Sequence, residues 1–156
     1  MIGYADIKSA SVHFYVQRSS SFSSNDSPIL FDSALVNEGN AMDLKTGIFT
    51  APQPGTYFFS FTGLMQFASS SSRIQFAVGL YLNRKQIGRG SVDEGNIGEN
   101  PNDQVTLQSM LKLEKGDEVF LKMNSISGGA FLFDDNNHHT HFTGFMLEEE
   151  GIVSTL

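Results

Sequence analysis

Between Ile48 and Phe61 the chain reads Ile-Phe-Thr-Ala-Pro-Gln-Pro-Gly-Thr-Tyr-Phe-Phe-Ser-Phe, and this stretch limits the possible folds more than any other. Pro52 and Pro54 preset φ, and Gly55 accepts φ values closed to other residues, so the three make a turn. The aromatic run after it suits a pleated surface and predicts a β-strand. Neighbouring strand residues point to opposite faces. Tyr57, Phe59 and Phe61 therefore share one face, expected to lie in the core, and Phe58 points the other way with Ser60 and Thr62. Aromatics on both faces suit a strand buried twice, once in its own core and once against another subunit, or else Phe58 is a single exposed ring of the ordinary kind.

The rest of the chain repeats the pattern. Val12, Phe14 and Val16 alternate with His13, Tyr15 and Gln17, and Ile29 to Val36 reads as a second strand closed by Asn37-Glu38-Gly39-Asn40. Ile74, Phe76, Val78, Leu80 and Leu82 form the cleanest period-two run. Their opposite face (Gln75, Ala77, Gly79, Tyr81, Asn83) is small and polar, open to solvent or to another subunit. Asn83 to Gln86 predicts a hairpin turn, Val105 to Leu113 and Val119 to Met123 two further strands, and His141 to Leu147 the last. Short strands at regular intervals without a helical period indicate an all-β sandwich or barrel. With 156 residues the chain suffices for one domain with a sizeable core.

Ten basic against 17 acidic residues give a net charge of −7. That argues against a nucleic-acid partner, which demands a basic footprint, and against an anionic membrane surface. No apolar run reaches the length of a membrane-spanning helix. The absence of cysteine removes thiol catalysis and zinc–thiolate sites, and leaves secretion open because a core of this size needs no disulfide. Met1 to Asp6 lacks the basic and apolar regions of a signal peptide, so the chain is read as cytosolic or as a mature segment with an added Met. No Gly-X-Y repeat, nucleophile elbow, phosphate loop or zinc-protease helix occurs, and no catalytic role is expected.

Three segments carry candidate ligand chemistry. Ser91 to Asn102, predicted as a loop, brings Asp93, Glu94, Asn96 and Glu99 close to Asp103, the oxygen-rich supply calcium takes, or else a plain solvated loop. Arg84, Lys85 and Arg89, with Arg73, gather around one hairpin and offer a basic face to an anionic ligand such as an acidic polysaccharide, or else simply solvated charge. His138, His139 and His141 follow Asp134 and Asp135, a set that suits ligand contact, a transition metal or a pH-sensitive interface, or else an ordinary turn entering a strand. His139 and His141 are expected on one strand face, with His138 on the other.

The spacing Phe31, Asn37, Phe49, Gly55, Tyr57, Phe59, Phe61 resembles the signature of the complement C1q-type globular domain, with Met42 where that family usually has an aromatic or Leu. Leu111-Lys112-Leu113-Glu114-Lys115-Gly116-Asp117-Glu118-Val119 and Phe142-Thr143-Gly144-Phe145-Met146-Leu147 resemble later motifs of the same family. The part after Asp103 is similar to its adiponectin-like heads. The resemblance covers residues 5–148 and leaves 149–156 as a tail. It implies the ten-stranded jelly-roll sandwich shared with the tumour necrosis factor superfamily, assembled as a compact homotrimer and secreted. It also implies calcium near the trimer apex, with Asp103 as one ligand and Asp93 or Glu94 standing in for an aspartate whose matched position is Gly95. Candidate subunit-contact residues are Tyr57, Phe58, Tyr81 and Phe145. The function implied is recognition of carbohydrate or other pathogen or cell-surface ligands, as in innate immunity. The alternatives are a trimeric signalling ligand for a cell-surface receptor and a head group that trimerises a stem.

Overall fold

The computed structural model describes residues 11–67, 74–94, 102–126 and 129–150. Eleven strands follow in order: β1 (His13–Gln17), β2 (Ser33–Glu38), β3 (Met42–Asp43), β4 (Ile48–Thr50), β5 (Gly55–Gln66), β6 (Ile74–Leu82), β7 (Lys85–Glu94), β8 (Asn102–Leu113), β9 (Glu118–Ile126), β10 (Phe131–Phe133) and β11 (His141–Glu149). They form two antiparallel sheets. In the first, β5 is central. β8 pairs along one of its edges, β11 and β10 share the other, and β1 and β2 continue beyond β11. The second runs β3-β4-β9-β6-β7. Among the described residues there is no helix.

The aromatic strand does what its alternation dictates. Along β5 the residues from Gly55 alternate between buried and half-buried over the whole strand. Phe49, on β4 of the second sheet, meets Tyr57 and Phe59 of the first edge-on, with ring centroids 5.5 and 5.3 Å apart. Phe14 of β1 closes the group, 5.5 Å from Phe49 and 5.0 Å from Phe142. Edge-on and tilted pairs of this kind add about 0.5–1.5 kcal/mol each beyond the area they bury. So many rings need one position without a side chain. A Cβ at Gly144, paired with Phe14 and Phe59 across its two neighbouring strands, would run into the Phe14 ring and stand 2.9 Å from Phe59 Cδ1.

Three expectations shift. Ile29 and Phe31 are core residues but precede β2, because the Ile29 N–H donates to the Leu121 carbonyl of the other sheet, 2.7 Å away, before the chain turns back to β1. Ser91 to Glu94, expected in a loop, belong to β7, where the ladder with β6 runs out to Ile74 opposite Glu94. Backbone pairing there overrides a polar composition. At the C-terminal end, Glu149 still pairs with Gly55 and the Glu150 N–H donates to the Pro54 carbonyl, so the sheet includes the first residues assigned to the tail. Residues 68–73 and 95–101 lie outside the described residues.

Gly144→Ala should destabilise the fold by about 1–3 kcal/mol through overpacking. The check is urea unfolding, with a lower midpoint and an unchanged slope. An unaltered midpoint would show that the rings yield to the methyl group.

Candidate functional site

The outward face of the first sheet is graded along the strands. One row crosses five strands as Glu38, His13, Phe145, Phe58 and Met110. Phe58 and Phe145 touch, with ring centroids 5.4 Å apart. Met110 is 60% exposed and Phe145 37%. A bulge between Met146 and Glu148 pushes Leu147 out of the ladder, where it is 57% exposed. The next row, Val36, Tyr15, Thr143, Ser60 and Gln108, is largely polar, and the one after it runs Gln17, His141, Thr62 and Thr106. The face therefore carries an apolar strip toward one end and hydroxyls, amides and a histidine toward the other.

Of the four expected contact residues, Phe58 and Phe145 come together on this strip. Tyr57 does not: its ring is fully buried in the core and its hydroxyl donates to the Gln53 carbonyl at 2.7 Å. Burial pushes its phenol pKa up, opposed by that hydrogen bond and reinforced by Glu149. The β5 alternation that exposes Phe58 necessarily hides Tyr57. Tyr81 is separated as well, since it stands on β6 in the other sheet. Met110 and Leu147 went unnoticed in the sequence. Met110 is found once its strand's parity is read against Phe58, but Leu147 is exposed only because of the bulge.

The three histidines do not form a cluster. β11 begins at His141, so strand parity does not reach His139 or His138. His138 sits at φ 56° and its Nδ1 donates to the Arg18 carbonyl at 2.8 Å. His139 lies 3.4 Å from Asp135 and against the Phe133 ring. Among the described residues no group of three His, Cys, Asp or Glu is placed to hold a metal ion. What organises this corner is Asp134, only 5% exposed, whose carboxylate accepts the N–H groups of Asp135, His139 and Thr140, each at 2.8 Å. Arg18, 7% exposed, donates to the carbonyls of Ser20, Ser21 and Leu30 and lies over the Phe22 ring. Burial lowers its pKa, and Asp32 and Asp134 counter the effect.

On the outward face of the second sheet, Tyr81 and Phe120 stack across β6 and β9, 5.2 Å apart and nearly parallel. Lys122 stands over the Tyr81 ring. Asn124 donates to the Tyr81 hydroxyl at 3.1 Å and to Gln86 Oε1. Arg89 lies directly across from Gly79 on β7. Arg84 and Lys85 are at the exposed hairpin tip, which Asn83 ties to Asp117 and Glu118. The expected basic patch therefore divides into a tip and a sheet face.

Of the acidic segment, Asp103 is in β8 opposite Met65, and one of its carboxylate oxygens accepts the Gln104 N–H at 2.8 Å. Asp93 and Glu94 close β7 opposite Gln75 and Ile74. Their side chains, together with Gly95, Asn96 and Glu99, lie outside the described residues, as does Arg73.

A family model for the C1q domain matches residues 13–147. The chain belongs to the C1q domain family. It is 33% identical over 138 residues to complement C1q tumor necrosis factor-related protein 3 of Homo sapiens, covering 88% of this chain and 52% of that one. It is 34% identical over 128 residues to the human related protein 9A, covering 82% and 35%. The chain thus spans about half the length of the first of these relatives and about a third of the second. In structure it is similar to the globular domain of zebrafish complement 1qA protein (TM-score 0.64, 21% identity, 89% and 98% covered). It is also similar to Eiger TNF from S. frugiperda (TM-score 0.65, 10% identity, 95% and 99% covered). The fold is the all-β jelly roll of C1q and TNF domains.

His141 supplies a pH test. Burial lowers its pKa against a smaller raising effect from Asp134. The unfolded chain then binds more protons than the folded one below about pH 6.5, so stability is full above that value and falls as acid takes the pH toward the depressed folded value. His141→Gln should flatten this part of the profile in thermal unfolding followed from neutral to mildly acidic pH. An identical acid slope in the variant would place the sensitivity elsewhere.

Proposed function

We propose that this C1q domain is a secreted, non-catalytic recognition module that works as a homotrimer and binds carbohydrate or other macromolecular ligands through faces repeated three times. The observation that carries this reading is the apolar strip of Phe58, Phe145, Met110 and Leu147 on one sheet face. Contiguous apolar surface of this kind marks an interaction site. A closed ring of copies covers such a strip on every subunit without leaving an open end. Likeness to C1q and TNF domains supports the same packing. Three copies multiply weak ligand contacts, so avidity takes the place of single-site affinity. Calcium is proposed as an accessory ion, held by Asp103 with Asp93 or Glu94, since hard carboxylate oxygens suit it.

A second reading is a trimeric ligand for a cell-surface protein receptor, favoured by the likeness to human C1q tumor necrosis factor-related proteins. Tight capture by one membrane protein, with no glycan binding, would select it.

Light scattering with calcium and again with chelator tests the assembly. The expected molar mass is three times that of the chain, and Phe145→Asp combined with Met110→Asp should reduce it to one chain with an unchanged circular dichroism spectrum. A single-chain mass for the unsubstituted protein in both conditions overturns the trimer. Loss of the trimer on chelation would make calcium part of the assembly.

A further inference from the structure

Sulfur is scarce in this chain and unevenly placed. With no cysteine and no tryptophan, methionine is the side chain most open to two-electron oxidation. Of the six methionines, Met1 lies outside the described residues. Met42, Met65 and Met123 are buried in the core, and Met146 is partly buried against it. Met110 alone among the described methionines is exposed. Its strand explains why. β8 turns Leu107 and Leu113 into the core, so the residues of opposite parity, Gln108, Met110 and Lys112, face out. β8 pairs only with β5 in its sheet, so Met110 ends the row that runs from Glu38 through Phe145 and Phe58.

The place of this sulfur gives its chemistry a consequence. Met110 stands directly across from Phe58, which touches Phe145. A thioether is apolar, polarizable and adaptable, and completes the strip against any surface laid over it. A methionine sulfoxide is polar. Its S–O group accepts hydrogen bonds and has no proton to give. In a separated chain that oxygen keeps its water. Under a covering surface it loses that water beside Phe58, a side chain with no donor. Gln108 belongs to the polar row, and the ammonium of Lys112 is held by Glu150 at 2.9 Å. Burying a polar group without a partner opposes any contact that requires it.

We propose that Met110 is an oxidation site that gates assembly: a peroxide converts its thioether to the sulfoxide in the separated chain, and the oxidised chain no longer enters the trimer. The sulfur lone pair attacks one oxygen of hydrogen peroxide. The O–O bond breaks as the S–O bond forms, and sulfur gives up two electrons. The second oxygen leaves as hydroxide and takes the proton of the first, becoming water. Assembly covers Met110, so the reaction acts on chains that have come apart or have not yet joined, and withdraws them from the assembling pool. The inference rests on the trimer reading and adds a chemical control to the face that builds it.

The test treats the purified chain with dilute hydrogen peroxide and follows the same samples by peptide mass spectrometry and light scattering. One oxygen should be added at Met110 about tenfold or more faster than at Met42, Met65, Met123 or Met146, since susceptibility follows exposure. That rate should fall as protein concentration rises through the range of assembly. The chain oxidised at Met110 should keep its circular dichroism spectrum and need about tenfold or more protein to form the trimer, because each copy would bury an unpaired acceptor. Met110→Gln, of similar length and polar, should show the same shift without peroxide. Met110→Leu, apolar and without sulfur, should give one molar mass before and after peroxide. Met146→Leu should respond to peroxide as the unsubstituted chain does. Oxidation of Met146 or a core methionine ahead of Met110, a trimer in which Met110 resists peroxide at every dilution, or dissociation of Met110→Leu by peroxide would each overturn the gate. Molar mass also separates the readings. An untreated chain that is a monomer at every concentration overturns the trimer, and a trimer indifferent to the Met110 sulfoxide overturns the gate alone.

Discussion

Phe49 reaching from the second sheet onto Tyr57 and Phe59 of the first is the contact on which the rest depends. Two sheets packed face to face hold each other only through side chains that cross the gap. Here the crossing is made by rings, which bury large areas at little conformational cost. The ring cluster dictates a glycine at position 144, sets the alternation of β5 and so decides what β5 shows outside. Phe58 faces outward because Tyr57 and Phe59 cannot.

A second constraint acts at the corner where β10 gives way to β11. A buried carboxylate and a buried guanidinium lie close together there, each satisfied mainly by backbone rather than by the other. Asp134 gathers the N–H groups of the turn, and Arg18 gathers the carbonyls of the segments around Ser20 and Leu30. Burying charged groups is tolerable only with full hydrogen bonding, which is why three loop segments converge on the pair. His138 and His139 are part of that lining.

Much of the architecture was legible because strand parity is a local property. Val12 to Val16, Ile74 to Leu82 and Val105 to Leu113 each announced an inner and an outer face. What parity cannot supply is which strands are neighbours. Met110, Phe58 and Phe145 form a strip only once β8, β5 and β11 lie side by side, and Lys122 and Arg89 flank Gly79 only in the register of β9, β6 and β7. Bulges, too, are invisible in the pattern: Leu147 and Asn124 both owe their positions to register shifts. Proximity in sequence misled in the opposite direction for the histidines, whose backbone leaves the strand just where alternation would have aligned them. Hydrophobic spacing thus revealed the layers, and long-range pairing assembled the faces.

The two ends of the described sandwich lie close together. Ser11 leads into β1 beside β11, where the Met146 N–H donates to the Val12 carbonyl, and Glu150 leaves β11 against Pro54. Anything joined to either end of this domain therefore departs from one pole, while the Arg18–Asp134 corner looks out from the other. The domain is in effect a plug-in cassette: spliced into a longer polypeptide it adds a knob at a single attachment point rather than lengthening the chain.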